Sequence, residues 1–138
     1  EVLSEEELVP YYAWAAGFID GEGTITLIRS NGRLDLFLIV GNTAKESLDR
    51  LSSLFGGSVF ISKRSGKRKD IYYWKVSGSR ALNAIEKVEP YSCLKLGQIR
   101  VAKEFMLPQT TIIARDVLKE AMLVLNKKGR EEPNGTTA

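Results

Sequence analysis

Tyr11-Tyr12-Ala13-Trp14-Ala15-Ala16-Gly17-Phe18-Ile19-Asp20-Gly21-Glu22-Gly23 runs apolar and small for nine residues and then sets two carboxylates among glycines. Ala13, Gly17 and Gly21 recur four apart, so on a helix they form one smooth stripe along which a second backbone could approach closely. Trp14 and Phe18 make a bulkier face beside it. Glycine costs roughly 1 kcal/mol against alanine inside a helix, so a central Gly17 implies a gain from close packing. Gly21 and Gly23 read as ending the helix and freeing the backbone around Glu22. Taken singly, each feature also fits a buried helix with a glycine cap and two ordinary loop acids.

Working outward, Ser4 to Glu7 fits a capping box that starts a short helical turn, and Pro10 suits the first turn of the main helix, which runs to about Asp20. From Thr24 to Ser30 the period becomes two, with Ile25 and Leu27 on one face and Thr24, Thr26, Ile28 and Ser30 on the other. Asn31-Gly32 is the strongest short hairpin signal, and the return strand alternates Leu34, Leu36, Leu38 and Val40 inward with Arg33, Asp35, Phe37 and Ile39 outward. A second capping box, Thr43 to Glu46, predicts a helix through Phe55, stopped at Gly56-Gly57. A second hairpin follows, its return strand alternating Tyr72, Trp74 and Val76 against Ile71, Tyr73 and Lys75. Three helices complete the pattern, over about Ser79–Val88, Ser92–Met106 and Thr111–Asn126. The last is expected to turn Ile113, Val117, Met122 and Leu125 to the core and to stop at Gly129.

Composition narrows the chemistry. The 138 residues form a natural single domain, read as 1–129, with 130–138 as a flexible C-terminal tail. There is no histidine, which excludes histidine triads, histidine general bases and histidine zinc sites. The single cysteine, Cys93, excludes a zinc ribbon and an intramolecular disulfide framework. Any catalysis must therefore use carboxylates, lysines, hydroxyls and a borrowed metal. The net charge is only +3, yet Lys63, Arg64, Lys67, Arg68 and Lys69 crowd one turn, which points to a localised polyanion contact. No export signal or membrane-length apolar span is seen, which places the chain inside the cell with no membrane partner.

The order helix, hairpin, helix, hairpin, helices makes an α+β domain with four strands in one antiparallel sheet. The greasy face of that sheet is its core side. The other face, with Thr24, Thr26, Ile28, Ser30, Arg33, Asp35, Phe37, Ile61, Lys63, Ile71, Tyr73 and Lys75, is a mixture suited to base edges and phosphates or to an ordinary solvated surface, and Lys67, Arg68 and Lys69 in the turn suit sequence-independent phosphate contact or a solubilising loop.

Ala15-Ala16-Gly17-Phe18-Ile19-Asp20-Gly21-Glu22-Gly23 resembles the nine-residue signature of the LAGLIDADG homing endonucleases, with Ala for the opening Leu and Glu for the second Asp. The element order is similar to that family's α-β-β-α-β-β-α core over about Pro10 to Met106, a four-stranded DNA-binding saddle with extra C-terminal helices. The resemblance implies that motif helices of two copies pack together, through Ala13, Ala16, Gly17, Asp20 and Gly21. It further implies that Glu22, with the Gly21 carbonyl, holds a divalent metal. Asn42 sits where the family often has a polar side chain near the cleavage centre. Pro90-Tyr91-Ser92-Cys93-Leu94-Lys95-Leu96-Gly97-Gln98 resembles the family's Pro-x4-Lys-x2-Gln segment and makes Lys95 a third catalytic candidate.

What the resemblance implies is a Mg²⁺-dependent endonuclease, with Mn²⁺ or Ca²⁺ able to substitute for binding. A C2 homodimer would bind a near-palindromic double-stranded DNA site and cut one phosphodiester per strand; the resemblance further implies that the site is long and that the cuts leave short 3′ overhangs. The alternative is a non-cleaving binder of the same fold, either an intron maturase acting on RNA or a DNA-binding regulator.

Overall fold

The computed structural model describes residues 2–63, 66 and 69–135, with side chains through Lys128. Ser4 caps the first helix, α1 (Glu5–Glu22): its Oγ accepts from Glu7 N at 3.2 Å while Glu7 Oε1 accepts from Ser4 N at 2.8 Å. The Ser4 amide thereby holds the Glu7 carboxyl below its ordinary range. Pro10, expected to open a separate main helix, lies inside this continuous one. It removes one backbone bond, to Glu6, and both residues are exposed, so water can satisfy the freed carbonyl.

Tyr12, Ala15, Ala16 and Ile19 form the buried side of α1, and Ala13, Gly17 and Gly21 lie on its exposed side. The helix passes into the first strand with no loop. Gly23 does this with ordinary extended dihedrals (φ −97°), so left-handed freedom is not its purpose. A Cβ there would stand 2.9 Å from the Ile19 carbonyl oxygen, and the junction closes only because glycine lacks one.

β1 (Gly23–Ser30) and β2 (Arg33–Asn42) pair in register around Asn31 (φ 53°) and Gly32 (φ 78°), the two left-handed residues of a type I′ turn. β3 (Ser58–Ser62) and β4 (Ile71–Ser77) form the second hairpin, and the antiparallel sheet runs β1-β2-β4-β3. Ile25, Leu27, Leu34, Leu36, Leu38, Val40, Trp74 and Val76 are buried on one face. That face is covered by α1, α2 (Lys45–Phe55), α3 (Gly78–Val88), α4 (Leu96–Phe105) and α5 (Ile112–Gly135), through Leu48, Leu51, Phe55, Ala84, Ile85, Ile99 and Phe105 among others. Trp74 is fully buried, and its Nε1 donates to the Gly56 carbonyl at 2.8 Å, tying β4 to the end of α2.

Four local expectations are corrected. The Thr43–Glu46 capping box does not form; Ala44 is the N-cap of α2, and the Asn42 side chain accepts from Ala44 N at 2.8 Å instead. The helix expected from Ser92 begins at Leu96, after a 3-10 turn at Glu89–Tyr91. In α5, Ile113 and Val117 are 78% and 62% exposed, while Leu118 and Met122 fill the core. This helix carries apolar residues on two faces, and periodicity alone does not say which is covered. Its backbone also stays helical through Gly129 to Gly135, because one glycine weakens a helix without obliging it to stop. Among the described residues no helix is long and apolar enough to cross a membrane.

The face of α5 is open to test by urea unfolding. Met122→Ala is expected to cost about 2–5 kcal/mol, whereas Val117→Ser changes stability by no more than about 0.5 kcal/mol.

Candidate functional site

Glu22 is the last residue of α1 and is exposed, on a ridge between two open hollows. On one side lie Asn42, Thr43, Gly41 and Tyr73, and on the other Asp20, Thr26, Lys95, Gln98 and Asn126. Asn42 ends β2 beside this junction, and its Nδ2 donates to Glu22 Oε1 at 2.9 Å. Its own oxygen is fixed by the Ala44 amide, so both ends of the Asn42 amide are used and the side chain is aimed.

Asp20 does a different job from Glu22. Its two oxygens accept from Ser92 Oγ and Cys93 N, each at 2.7 Å, and so pin the loop that leads to Lys95. Its carboxylate is thereby committed within its own subunit. Lys95 is the N-cap residue of α4 and is half-buried. Burial pushes its ammonium below the usual lysine range, and the Asp20 charge opposes this.

Two residues not assigned a site role from sequence complete the second hollow. Gln98 is buried, and its Nε2 donates to Asn126 Oδ1 at 3.4 Å; Asn126 Nδ2 in turn donates to the Ile25 carbonyl at 3.0 Å. Gln98 closes the Pro-x4-Lys-x2-Gln segment, which was its available signal. Asn126 had none, since only the packing of α5 on β1 brings it there.

The outward sheet face is as the alternation predicts on β1, β2 and β4: Thr24 opposes Ile39, Thr26 opposes Phe37, Ile28 opposes Asp35 and Ser30 opposes Arg33. Lys75 Nζ lies 5.3 Å from the Phe37 ring centroid, and Tyr73 sits over Gly41, where an added Cβ would meet its ring at 2.7 Å. Ile71 completes β4 on that face. Ile61 does not belong to it. The β3–β4 register pairs Ile61 with Tyr72, on the helix side, and pairs Phe60 with Tyr73, their rings stacked at 5.7 Å. A one-residue offset moves a strand's side chains to the other face, and the outward aromatic is Phe60. Lys63 and Lys69 are exposed at the hairpin end, and Lys67 and Arg68 lie outside the described residues.

On α1, the candidate contact stripe is partly corrected. A Cβ added at Gly17 or Gly21 meets nothing within 4 Å, so that surface is open. Ala16 is fully buried in the core and is unavailable to any partner.

For a metal, the donors near the junction are those of a partial site. Among the described residues no three acidic or thiol side chains cluster. Glu22 offers one carboxylate, held by a single bond from Asn42, and the Gly21 carbonyl lies in a final turn that lacks further helical donors. That set suits a hard cation such as Mg²⁺, which takes one or two carboxylates and keeps water or phosphate on its other positions.

Neither a family model nor a curated protein sequence matches the chain. Solved structures do. One is the homing endonuclease I-CvuI in complex with its target in the presence of calcium, at TM-score 0.69 and 21% identity over 89% of this chain and 92% of that one. Another is the archaeal intron-encoded homing endonuclease I-Vdi141I complexed with DNA, at 0.62 and 18%, over 86% and 83%. A third is the LAGLIDADG meganuclease I-AabMI bound to uncleaved DNA, at 0.62 and 18%, over 89% of this chain but 49% of that one. The chain has the LAGLIDADG homing endonuclease fold. Within that fold Ala15–Gly23 is the end of α1 and its junction with β1, and Glu22 stands at the joint.

Lys95 makes the site's electrostatic cost measurable. Its folded pKa lies below the ordinary 10.5, so the unfolded chain binds more protons between the two values and stability rises with pH through that window. Lys95→Met is therefore expected to be more stable than the parent protein at pH 7, by a margin that shrinks towards pH 10 in urea titrations.

Proposed function

We propose that this chain is a site-specific double-strand DNA endonuclease, working as a C2 homodimer with a divalent metal. The observation that carries the reading is the Asn42–Glu22 pair: an oriented, exposed carboxylate at the end of an open glycine stripe, beside a sheet face of cations, hydroxyls and aromatic rings.

The chain's own residues divide the work. Asn42 holds one oxygen of the exposed Glu22 carboxylate, and Glu22 with the Gly21 carbonyl would hold the cation. Mg²⁺ is the expected ion, with Mn²⁺ or Ca²⁺ able to support binding. When bound, it would lower the pKa of a coordinated water and neutralise charge on the phosphate. Lys95, held in place by the Asp20-pinned loop, supplies a partly desolvated positive charge beside the same phosphate and orders the attacking water.

One chain carries one such carboxylate, and two strands require two. An isologous contact through Ala13, Gly17 and Gly21 would bring both Glu22 side chains to one axis. Each subunit's sheet would then follow one half of a near-palindromic site, with one phosphodiester cut per strand and short 3′ overhangs. Base edges would meet Thr24, Thr26, Asp35, Tyr73 and Lys75, and phosphates would meet Lys63 and Lys69.

Cleavage of a randomised duplex pool with and without Mg²⁺ tests the activity. Glu22→Gln is expected to bind the selected duplex at least as tightly as the parent and to cut it at least about 10²-fold more slowly. Mg²⁺-dependent cutting at the parental rate by that variant would remove Glu22 from the mechanism. The assembly has its own test. Gly17→Glu should leave the fold intact, since a Cβ there meets nothing within 4 Å and the position is exposed, yet sediment as a monomer and lose double-strand cleavage.

A further inference from the structure

At the far end of the β1–β2 hairpin a second cluster of charge remains outside the reading above. Arg29, Arg33 and Arg115 line one hollow with Asp116, where the first turn of α5 meets the hairpin. Arg29 Nη2 donates to Asp116 Oδ1 at 2.7 Å and Nη1 to the Gly32 carbonyl at 3.4 Å, which fastens the turn to α5. Asp116 is the only carboxylate in that lining, so three guanidinium groups share one negative charge. Among the described residues neither Arg33 nor Arg115 has an ion-pair partner.

Arg115 is held in an unusual way for a solvated arginine. Its guanidinium lies 4.8 Å from the centroid of the buried Phe105 ring, and its Nε is buried with no hydrogen-bond partner. A buried donor left without an acceptor is costly, and three guanidinium groups facing one carboxylate leave the cluster short of anion. Guanidinium forks match phosphate oxygens better than point charges do.

We infer that Arg29, Arg33 and Arg115 form a phosphate-binding site for the backbone of duplex DNA, beyond the base-reading face of the sheet. This rests on the proposed DNA-binding role of the saddle and extends it. Seven strand steps separate Gly23 from Ser30, about 23 Å at roughly 3.3 Å per residue. Measured along a duplex, that is about seven base pairs from the Glu22 centre. The site clamps each outer end of the target, and Asp116 limits its strength by occupying Arg29.

The test uses the full chain and a duplex selected from a randomised pool. Arg33→Ala, and Arg115→Met, which keeps an apolar stem on Phe105, should each reduce the salt slope of log K by about 0.9, the loss of one phosphate contact. Sequence preference should not change. Asp116→Asn should tighten binding roughly two- to fivefold. Ethylation of phosphates about seven base pairs from the centre should weaken binding by the parent protein but not by Arg115→Met. Unchanged salt slopes together with an unchanged ethylation pattern overturn this inference while leaving the saddle reading intact. A parent protein that binds no duplex brings down both.

Discussion

The contact between Gly23 and the last turn of α1 governs the geometry of this molecule. With the Ile19 carbonyl only 2.9 Å from where a Cβ would stand, no larger residue allows the helix to enter the sheet at this point. The joint needs no loop, so the backbone at Glu22 runs straight from helix into strand, anchored by the packing of Tyr12, Ala15, Ala16 and Ile19. A rigid element ending on a functional side chain is the arrangement that places a group most sharply.

Around this joint the polar groups fall into two sets. One is committed inside the subunit: Asp20 to the Ser92–Cys93 loop, Gln98 to Asn126, and Asn126 to the Ile25 carbonyl. The other is only half used, since Glu22 has a free oxygen and Lys95 has no carboxylate at bonding distance among the described residues. The first set holds the loop and α4 in place, and the second is left to meet water, cation and phosphate. Two acids two residues apart thus differ in role because one faces the protein's own loop and the other faces out.

The sheet follows the same division. Its inner side is close-packed aliphatic and aromatic carbon, whereas the outer side keeps Thr24, Arg33, Tyr73 and Lys75 within reach of solvent. Tyr73 resting on Gly41 and stacking on Phe60, and Lys75 over Phe37, stiffen side chains that would otherwise lose much rotamer freedom on meeting a ligand.

Period and punctuation alone determined a good part of this. Alternation over Thr24–Val40 and the Asn31-Gly32 turn specify the first hairpin, because only one register buries all its leucines, and the small-residue spacing of α1 marks its open stripe. Tertiary structure decided what local pattern leaves degenerate. The apolar residues of α5 allow two buried faces, and packing on β1 and α4 chose Leu118 and Met122 over Ile113 and Val117. The face of Ile61 follows from the pairing of β3 with β4, which no short window contains. The burial of Ala16, the binding of Asp20 to Ser92 and the arrival of Asn126 beside Gln98 likewise join residues far apart in the chain. Such contacts depend on how whole elements dock, and docking is settled by burial and shape rather than by sequence spacing.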